Sequence, residues 1–108
     1  MKTSVLSGEA PVKDGAANLQ RGIETVGGRL YLTNQRLIFE SHAINIQSGE
    51  TIIPLASVTG VRKCWTKFLN LIPLVPNSVA VATKEGTEYR FVTFSRQAWI
   101  DAINGQRT

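Results

Sequence analysis

His42 and Cys64 are the only imidazole and the only thiol in the chain. With a scatter of carboxylates, they set the outer limit of the covalent chemistry the chain offers. A cysteine and a histidine make a nucleophile and its base when a fold brings them together. Here His42 stands in a polar, loop-like stretch, Cys64 stands in an apolar, strand-like one, and no motif surrounds either. An ordinary packing role suits Cys64, a residue type that behaves as a small hydrophobe. Asp14, Glu24, Glu40, Glu50, Glu85, Glu88 and Asp101 stand singly, so no local acid pair presents itself for general acid–base work. A zinc site needs several Cys or His ligands, more than this chain has. Gly27-Gly28 lacks the spacing and the following helix of a phosphate-cradling loop. These residues predict a binding module rather than an enzyme, with no cofactor and no metal.

The segment that does stand out is Val61–Asn77, Val-Arg-Lys-Cys-Trp-Thr-Lys-Phe-Leu-Asn-Leu-Ile-Pro-Leu-Val-Pro-Asn. It joins two strand-like stretches and yet is strongly apolar, with Phe68, Leu69, Leu71, Ile72, Leu74 and Val75 close to the cations Arg62, Lys63 and Lys67. Three placements fit it. It folds back into the core, following the general preference for burying apolar side chains. Or it meets an anionic bilayer, with Arg62, Lys63 and Lys67 near the headgroups and Trp65, Phe68 and Leu69 in contact with lipid. Or it buries itself against a protein partner or a second copy of the chain. The candidate binding residues are therefore Arg62, Lys63, Trp65, Lys67, Phe68 and Leu69.

The elements that must carry these residues are mostly short strands. Period-two alternation runs through Gly28–Thr33 and Arg36–Ser41 about a polar Asn34-Gln35 turn, the pattern of an antiparallel hairpin. Asn34 suits a turn because it tolerates positive φ, and Gly27-Gly28 reads as a tight turn or a bulge. Ile52–Leu55 contains Pro54, which donates no ladder hydrogen bond, so it reads as an edge strand. Val58–Trp65 follows as a strand, with Gly60 as its expected bend. A second hairpin spans Ser78–Thr83 and Glu88–Phe94, with Gly86 supplying the left-handed turn position. Upstream, Ser4–Ser7 reads as a short strand and Gly8–Asn18 as a loop of turn formers and small residues. The chain closes with a helix from Ser95 to about Asn104. Ser95 is its expected N-cap, Phe94 and Trp99 an expected hydrophobic staple, and Gly105 its stop. Trp99, Ile100 and Ile103 form its apolar stripe. So short a helix is marginal alone in water and must dock on the sheet.

With 108 residues, 43% of them hydrophobic and 19% charged, the composition is that of one globular domain. A single cysteine makes no internal disulfide, which agrees with a reducing compartment. No apolar run is long enough for a signal peptide or a spanning helix. The expectation is a cytoplasmic protein, peripheral at the inner membrane face if it reaches a membrane. The net charge is +4, and it is unevenly placed. Charges balance over residues 1–50, whereas residues 51–108 carry Arg62, Lys63, Lys67, Lys84, Arg90, Arg96 and Arg107 against Glu85, Glu88 and Asp101. Such a bias favours anionic partners without naming one. Nucleic acid is not expected, because Tyr31, Phe39, Tyr89, Phe91, Phe94 and Trp99 fall at alternating strand positions or on the helix stripe, where core packing accounts for them better than base stacking.

The hairpin Gly28-Arg29-Leu30-Tyr31-Leu32-Thr33-Asn34-Gln35-Arg36-Leu37-Ile38-Phe39 resembles the most recognisable element of GRAM domains, and Ile53-Pro54-Leu55-Ala56-Ser57-Val58-Thr59-Gly60-Val61 is similar to a later segment of the same family. The resemblance covers residues 17–104, with 1–16 as a lead-in and 105–108 as a tail. It implies a mainly β, pleckstrin-homology-like fold: a partly open barrel of about seven antiparallel strands, capped by one C-terminal α-helix. It also implies binding, to anionic lipid headgroups or to a protein, self-association included. In pleckstrin-homology-like folds a phosphoinositide site often lies among basic residues of an early hairpin. Here the loop around Gly22–Gly28 has Arg21 and Arg29 but also Glu24, and no lysine cluster, which argues against a strong site of that kind.

Overall fold

The structure, a computed structural model, describes residues 1–21, 24–42, 50–64 and 78–107. Among the described residues seven strands, β1 (Pro11–Arg21), β2 (Glu24–Thr33), β3 (Arg36–Ser41), β4 (Glu50–Pro54), β5 (Val58–Cys64), β6 (Ser78–Thr83) and β7 (Glu88–Thr93), precede one helix, α1 (Arg96–Gln106). A single 3-10 turn, Leu55–Ser57, joins β4 to β5. The strands form one antiparallel sheet in the order β4-β3-β2-β1-β7-β6-β5. The sheet is not closed by a β4–β5 ladder, so both serve as edges among the described residues.

Strand β1 joins the two halves. It pairs with β2 along nearly its whole length and with β7 through Ala17, Asn18 and Leu19. Curling the sheet about this strand brings its inner face onto one core of Leu19, Leu30, Leu32, Leu37, Phe39, Ile53, Val79, Val81 and Phe91. Phe39 of one half meets Phe91 of the other with ring centroids 5.9 Å apart, a tilted arrangement that aromatic pairs favour. Helix α1 adds Trp99, Ile100 and Ile103 to that core. Its Trp99 lies against Gly15, where an added Cβ would stand 3.5 Å from the indole, and Lys13 Nζ sits 5.2 Å from the ring centroid.

Several local expectations are overturned. Ser4–Ser7 forms no strand, and most of the supposed loop Gly8–Asn18 is β1. Its small residues suit a strand that passes under Trp99, and pairing on both sides outweighs their weak strand propensity. Gly27-Gly28 is no turn but lies inside β2. A Cβ at Gly28 would run into the Glu40 carbonyl oxygen and the Phe39 ring. Ser95 occupies the cap position without a side-chain cap bond, in a left-handed conformation (φ 56°, ψ 56°). Phe94 is 82% exposed and staples nothing, and Gly105 lies inside α1 rather than ending it. Asn34 does not use positive φ, since Ser95 is the one non-glycine residue with it among those described. Other expectations hold. Gly86 has φ +90° in the β6–β7 turn, Gly60 marks a register shift in β5, and β4 is an edge strand.

Strand β3 is buried on both faces along Arg36–Phe39. Leu37 and Phe39 point into the core. Ile38 faces the other way and is still 0% exposed, because residues 1–9 cross that outer face as a strap. The amides of Lys2 and Thr3 donate to the Glu40 carboxylate at 2.7–3.0 Å, and Arg36 Nη2 donates to the Ser4 carbonyl at 2.9 Å.

Candidate functional site

Thr33, Asn34, Gln35 and Arg36 crowd the β2–β3 turn with polar groups at the density of a ligand site. All are committed to the strap. Asn34 accepts from the Ala10 amide at 2.8 Å and donates from Nδ2 to the Gly8 carbonyl at 3.0 Å. Gln35 Nε2 donates to the Ser7 carbonyl at 2.8 Å. Arg36 grips Glu9 through Nε at 2.8 Å and Nη2 at 2.6 Å, and the Thr33 hydroxyl and the Leu6 amide donate to the same carboxylate at 2.7 and 2.9 Å. The Glu9 and Arg36 side chains are 1% and 10% exposed. The Arg36 hydrogen bonds hold the Glu9 carboxyl down at about 2, against a smaller opposing push from burial. This turn is a structural lock, occupied by the chain itself.

The two candidates for nucleophilic chemistry offer no pair. His42 is exposed at the end of β3, where its amide donates to the Gly27 carbonyl at 2.9 Å. Cys64 is buried, and burial pushes its thiol up, against the pull of Arg90, Arg62 and Arg96. A thiol raised in this way is a poor nucleophile. Among the described residues no three His, Cys, Asp or Glu side chains gather as metal ligands.

Those same arginines define the basic face. The register aligns Arg62, Ala80 and Arg90 across β5, β6 and β7, with Cys64, Ser78 and Val92 in the next row on that side. Glu88 lies between the guanidinium groups, 3.1 Å from Arg62 and 3.2 Å from Arg90. Burial acts to raise its carboxyl, and the hydrogen bonds from Arg90 and Arg62 outweigh it and hold the group low. Arg96, in the first turn of α1, donates from Nη1 to the Cys64 carbonyl at 3.2 Å. Among the described residues, Arg62 and Arg90 thus stand on the same side of the sheet as Cys64 with Glu88 between them, and Arg96 reaches the Cys64 carbonyl.

Of the residues predicted from sequence, Arg62 stands on this face. Lys63 is exposed but shares the register row of the buried Val79 and Phe91. Neighbouring strand residues point to opposite sides, so the two cations are not brought together. Trp65, Lys67, Phe68 and Leu69 lie outside the described residues. The chain leaves and re-enters the described structure at Cys64 and Ser78, which are paired partners. Sequence reasoning missed Arg90 and Arg96, which stand far from Arg62 in the chain. Only the register of β5, β6 and β7 joins them, and no local pattern reports it.

A model of the GRAM domain matches residues 1–103. The chain belongs to the GRAM domain family. Solved structures support the pleckstrin-homology-like fold of this GRAM domain. The C-terminal domain of an unknown protein from Leishmania infantum superposes with a TM-score of 0.75 at 17% identity, over 93% of this chain and 85% of that one. The Vps36 N-terminal PH domain gives 0.67 at 19% identity over 94% and 84%. The N-terminal PH domain of human ARAP2 gives 0.66 at 15% identity over 98% and 84%. A search of curated proteins finds no match. GRAM and pleckstrin-homology-like domains are generally non-catalytic modules that bind lipid or protein. Among the described residues no helix is long and apolar enough to cross a membrane.

Proposed function

We propose that this GRAM domain associates weakly and reversibly with anionic membrane surfaces, through the end of the barrel where β5 leads into residues 65–77. Arg62, Lys63 and Lys67 supply the attraction, and Trp65, Phe68 and Leu69 the apolar contact. The observation that carries this reading is the placement of Arg62, Arg90 and Arg96 on the side of the sheet that holds Cys64, immediately before a segment whose sequence mixes cations with aromatic and aliphatic residues. Cations near an anionic leaflet contribute about 1 kcal/mol each, enough for reversible docking when combined with modest apolar insertion. Co-sedimentation with phosphatidylserine-containing and with neutral vesicles at low and high salt tests it. Pelleting with anionic vesicles only, and its loss at high salt, is expected. Absence of pelleting with anionic vesicles overturns the reading.

A second reading, a protein-interaction or self-association module, draws on β4. That strand pairs with β3 alone and leaves Ile52 41% exposed at the sheet edge, which suits addition of a partner's strand. Sedimentation velocity at high protein concentration checks the self-association form, which a strictly monomeric boundary excludes.

A further inference from the structure

Phe94 is the most exposed large hydrophobic side chain among the described residues, at 82%. The sequence places it where a helix staple belongs, and the left-handed Ser95 that follows it carries the chain into α1 without that contact. A left-handed conformation at a non-glycine residue is uncommon and costs energy, so an outward Phe94 held beside it calls for a reason. Its surroundings supply one. Val92, Phe94 and Arg96 line a shallow, mainly apolar cleft of about 490 Å³ with the small residues Ala16 and Gly27. Val92 stands in the row next to Arg90, and Arg96 reaches the Cys64 carbonyl beside Arg62. Ala80 stands between Arg62 and Arg90, with Cys64 and Ser78 in the adjoining row on that side, all small and buried. The result is one aromatic ring standing out beside a shallow cleft, with Arg96 in the lining of that cleft and Arg90 and Arg62 in the next row on the same side of the sheet.

We infer that this face is a membrane contact in its own right: Phe94 enters the headgroup region of an anionic bilayer while Arg90 and Arg96, with Arg62, lie against the lipid phosphates and carboxylates. The inference rests on the membrane reading above and adds the surface that orients the barrel on the bilayer. Charge complementarity selects the occupant, since among the described residues Arg62, Arg90 and Arg96 stand at this face against one carboxylate, Glu88. The extent of the apolar surface agrees. A stable protein interface buries about 1,600 Å² in total, whereas one isolated ring suits shallow insertion. Among the described residues the other exposed large hydrophobics, Met1, Val5, Leu6, Val12 and Ile52, lie on the strap, the start of β1 and β4, and do not extend this face.

The test measures partitioning onto phosphatidylcholine vesicles holding about one-third phosphatidylserine, for the unaltered chain and for Phe94→Ser, Arg90→Gln and Lys2→Gln. Lys2 is an exposed residue of the strap, so its variant removes one charge away from this face. Phe94→Ser is expected to weaken partitioning about tenfold, Arg90→Gln about fivefold, and Lys2→Gln less than about twofold. Binding of the unaltered chain that Phe94→Ser and Arg90→Gln leave intact, or that all three variants weaken equally, overturns this inference while the membrane reading stands. No binding by the unaltered chain overturns both. If that result comes with a dimer that Phe94→Ser dissolves in sedimentation velocity, the occupant is a second copy instead.

Discussion

Glu9 gives up its hydration on folding and receives four hydrogen bonds in exchange, from Arg36 Nε and Nη2, the Thr33 hydroxyl and the Leu6 amide. Replacing the pair by apolar groups of similar size need not destabilise, but removing one partner strands a buried charge. Glu9→Ala or Arg36→Ala is therefore expected to cost about 3 kcal/mol in urea unfolding, near the low end for broken buried pairs. Acid acts on the same group. The Glu9 carboxyl is held at about 2, against an ordinary value of 4.5. A folded value below the unfolded one means that the stabilisation is fully present above the unfolded value and is lost as pH falls through the folded one. Thermal midpoints should therefore drop steeply between about pH 4.5 and pH 2, and Glu9→Gln, already weakened, should flatten that drop. Glu40 works in the same direction. Burial acts to raise its carboxyl, and the donors from Lys2 and Thr3 outweigh it and hold it low. An unchanged acid profile in Glu9→Gln would mean that Glu40 and Glu88 carry the transition. Gly28 is a separate constraint at this scale. Its neighbours are backbone and ring atoms with little room to yield, so Gly28→Ala should destabilise by about 3 kcal/mol, toward the upper range for overpacking.

At the scale of elements, alternation made the β2–β3 and β6–β7 hairpins readable in the sequence, because each has one face on the core and a polar turn between its strands. Strand β1 was not readable. Its Pro11–Asn18 stretch carries Gly15, Ala16 and Ala17 in place of branched side chains, and what holds it extended is distant in sequence: β2, β7 and the indole of Trp99. The strap was unreadable for the same reason, since Glu9 and Arg36 are separated by 27 positions. The start of α1 misled in another way. Ser-x-x after a strand is a sound capping signal, yet Ser95 takes a left-handed conformation and its hydroxyl caps nothing. That geometry yields a prediction. Glycine adopts positive φ without the Cβ penalty, so Ser95→Gly should stabilise the fold by about 0.5–1 kcal/mol, net of glycine's entropy cost, as read by chemical denaturation. Ser95→Val, branched at Cβ, should destabilise it. If Ser95→Gly gives no gain, the left-handed residue stores no strain.

The charge asymmetry read from the sequence becomes a spatial one in the whole molecule. Residues 1–50 balance their charges and build the strap and β1 to β3, whereas among the described residues the excess of cations belongs to the half formed by β5, β6, β7 and α1. The order β4-β3-β2-β1-β7-β6-β5 sets these halves on opposite sides of β1, so the molecule has a basic pole. The family and the helix-capped sheet were legible from one hairpin motif and the helix stripe. The pole was not, because it depends on which strands neighbour one another. A body charged in this way should meet an anionic surface in a preferred orientation, with affinity set by the local charge of the pole. Exposed charges are screened over about 30 Å at 0.01 M salt and about 10 Å at 0.1 M, so vesicle binding should weaken over that range. Lys67→Glu combined with Phe68→Ser should lower partitioning about a hundredfold, from a charge reversal and the loss of one inserted ring. Lys2→Glu reverses a charge of the same size on the balanced half and should cost only about threefold, through the net charge alone. Equal losses from the two reversals would show that the molecule responds to its total charge and has no functional pole. Unequal losses that persist at 0.1 M salt, where only charges within about 10 Å of the surface still act, would fix the end of the barrel that touches the bilayer.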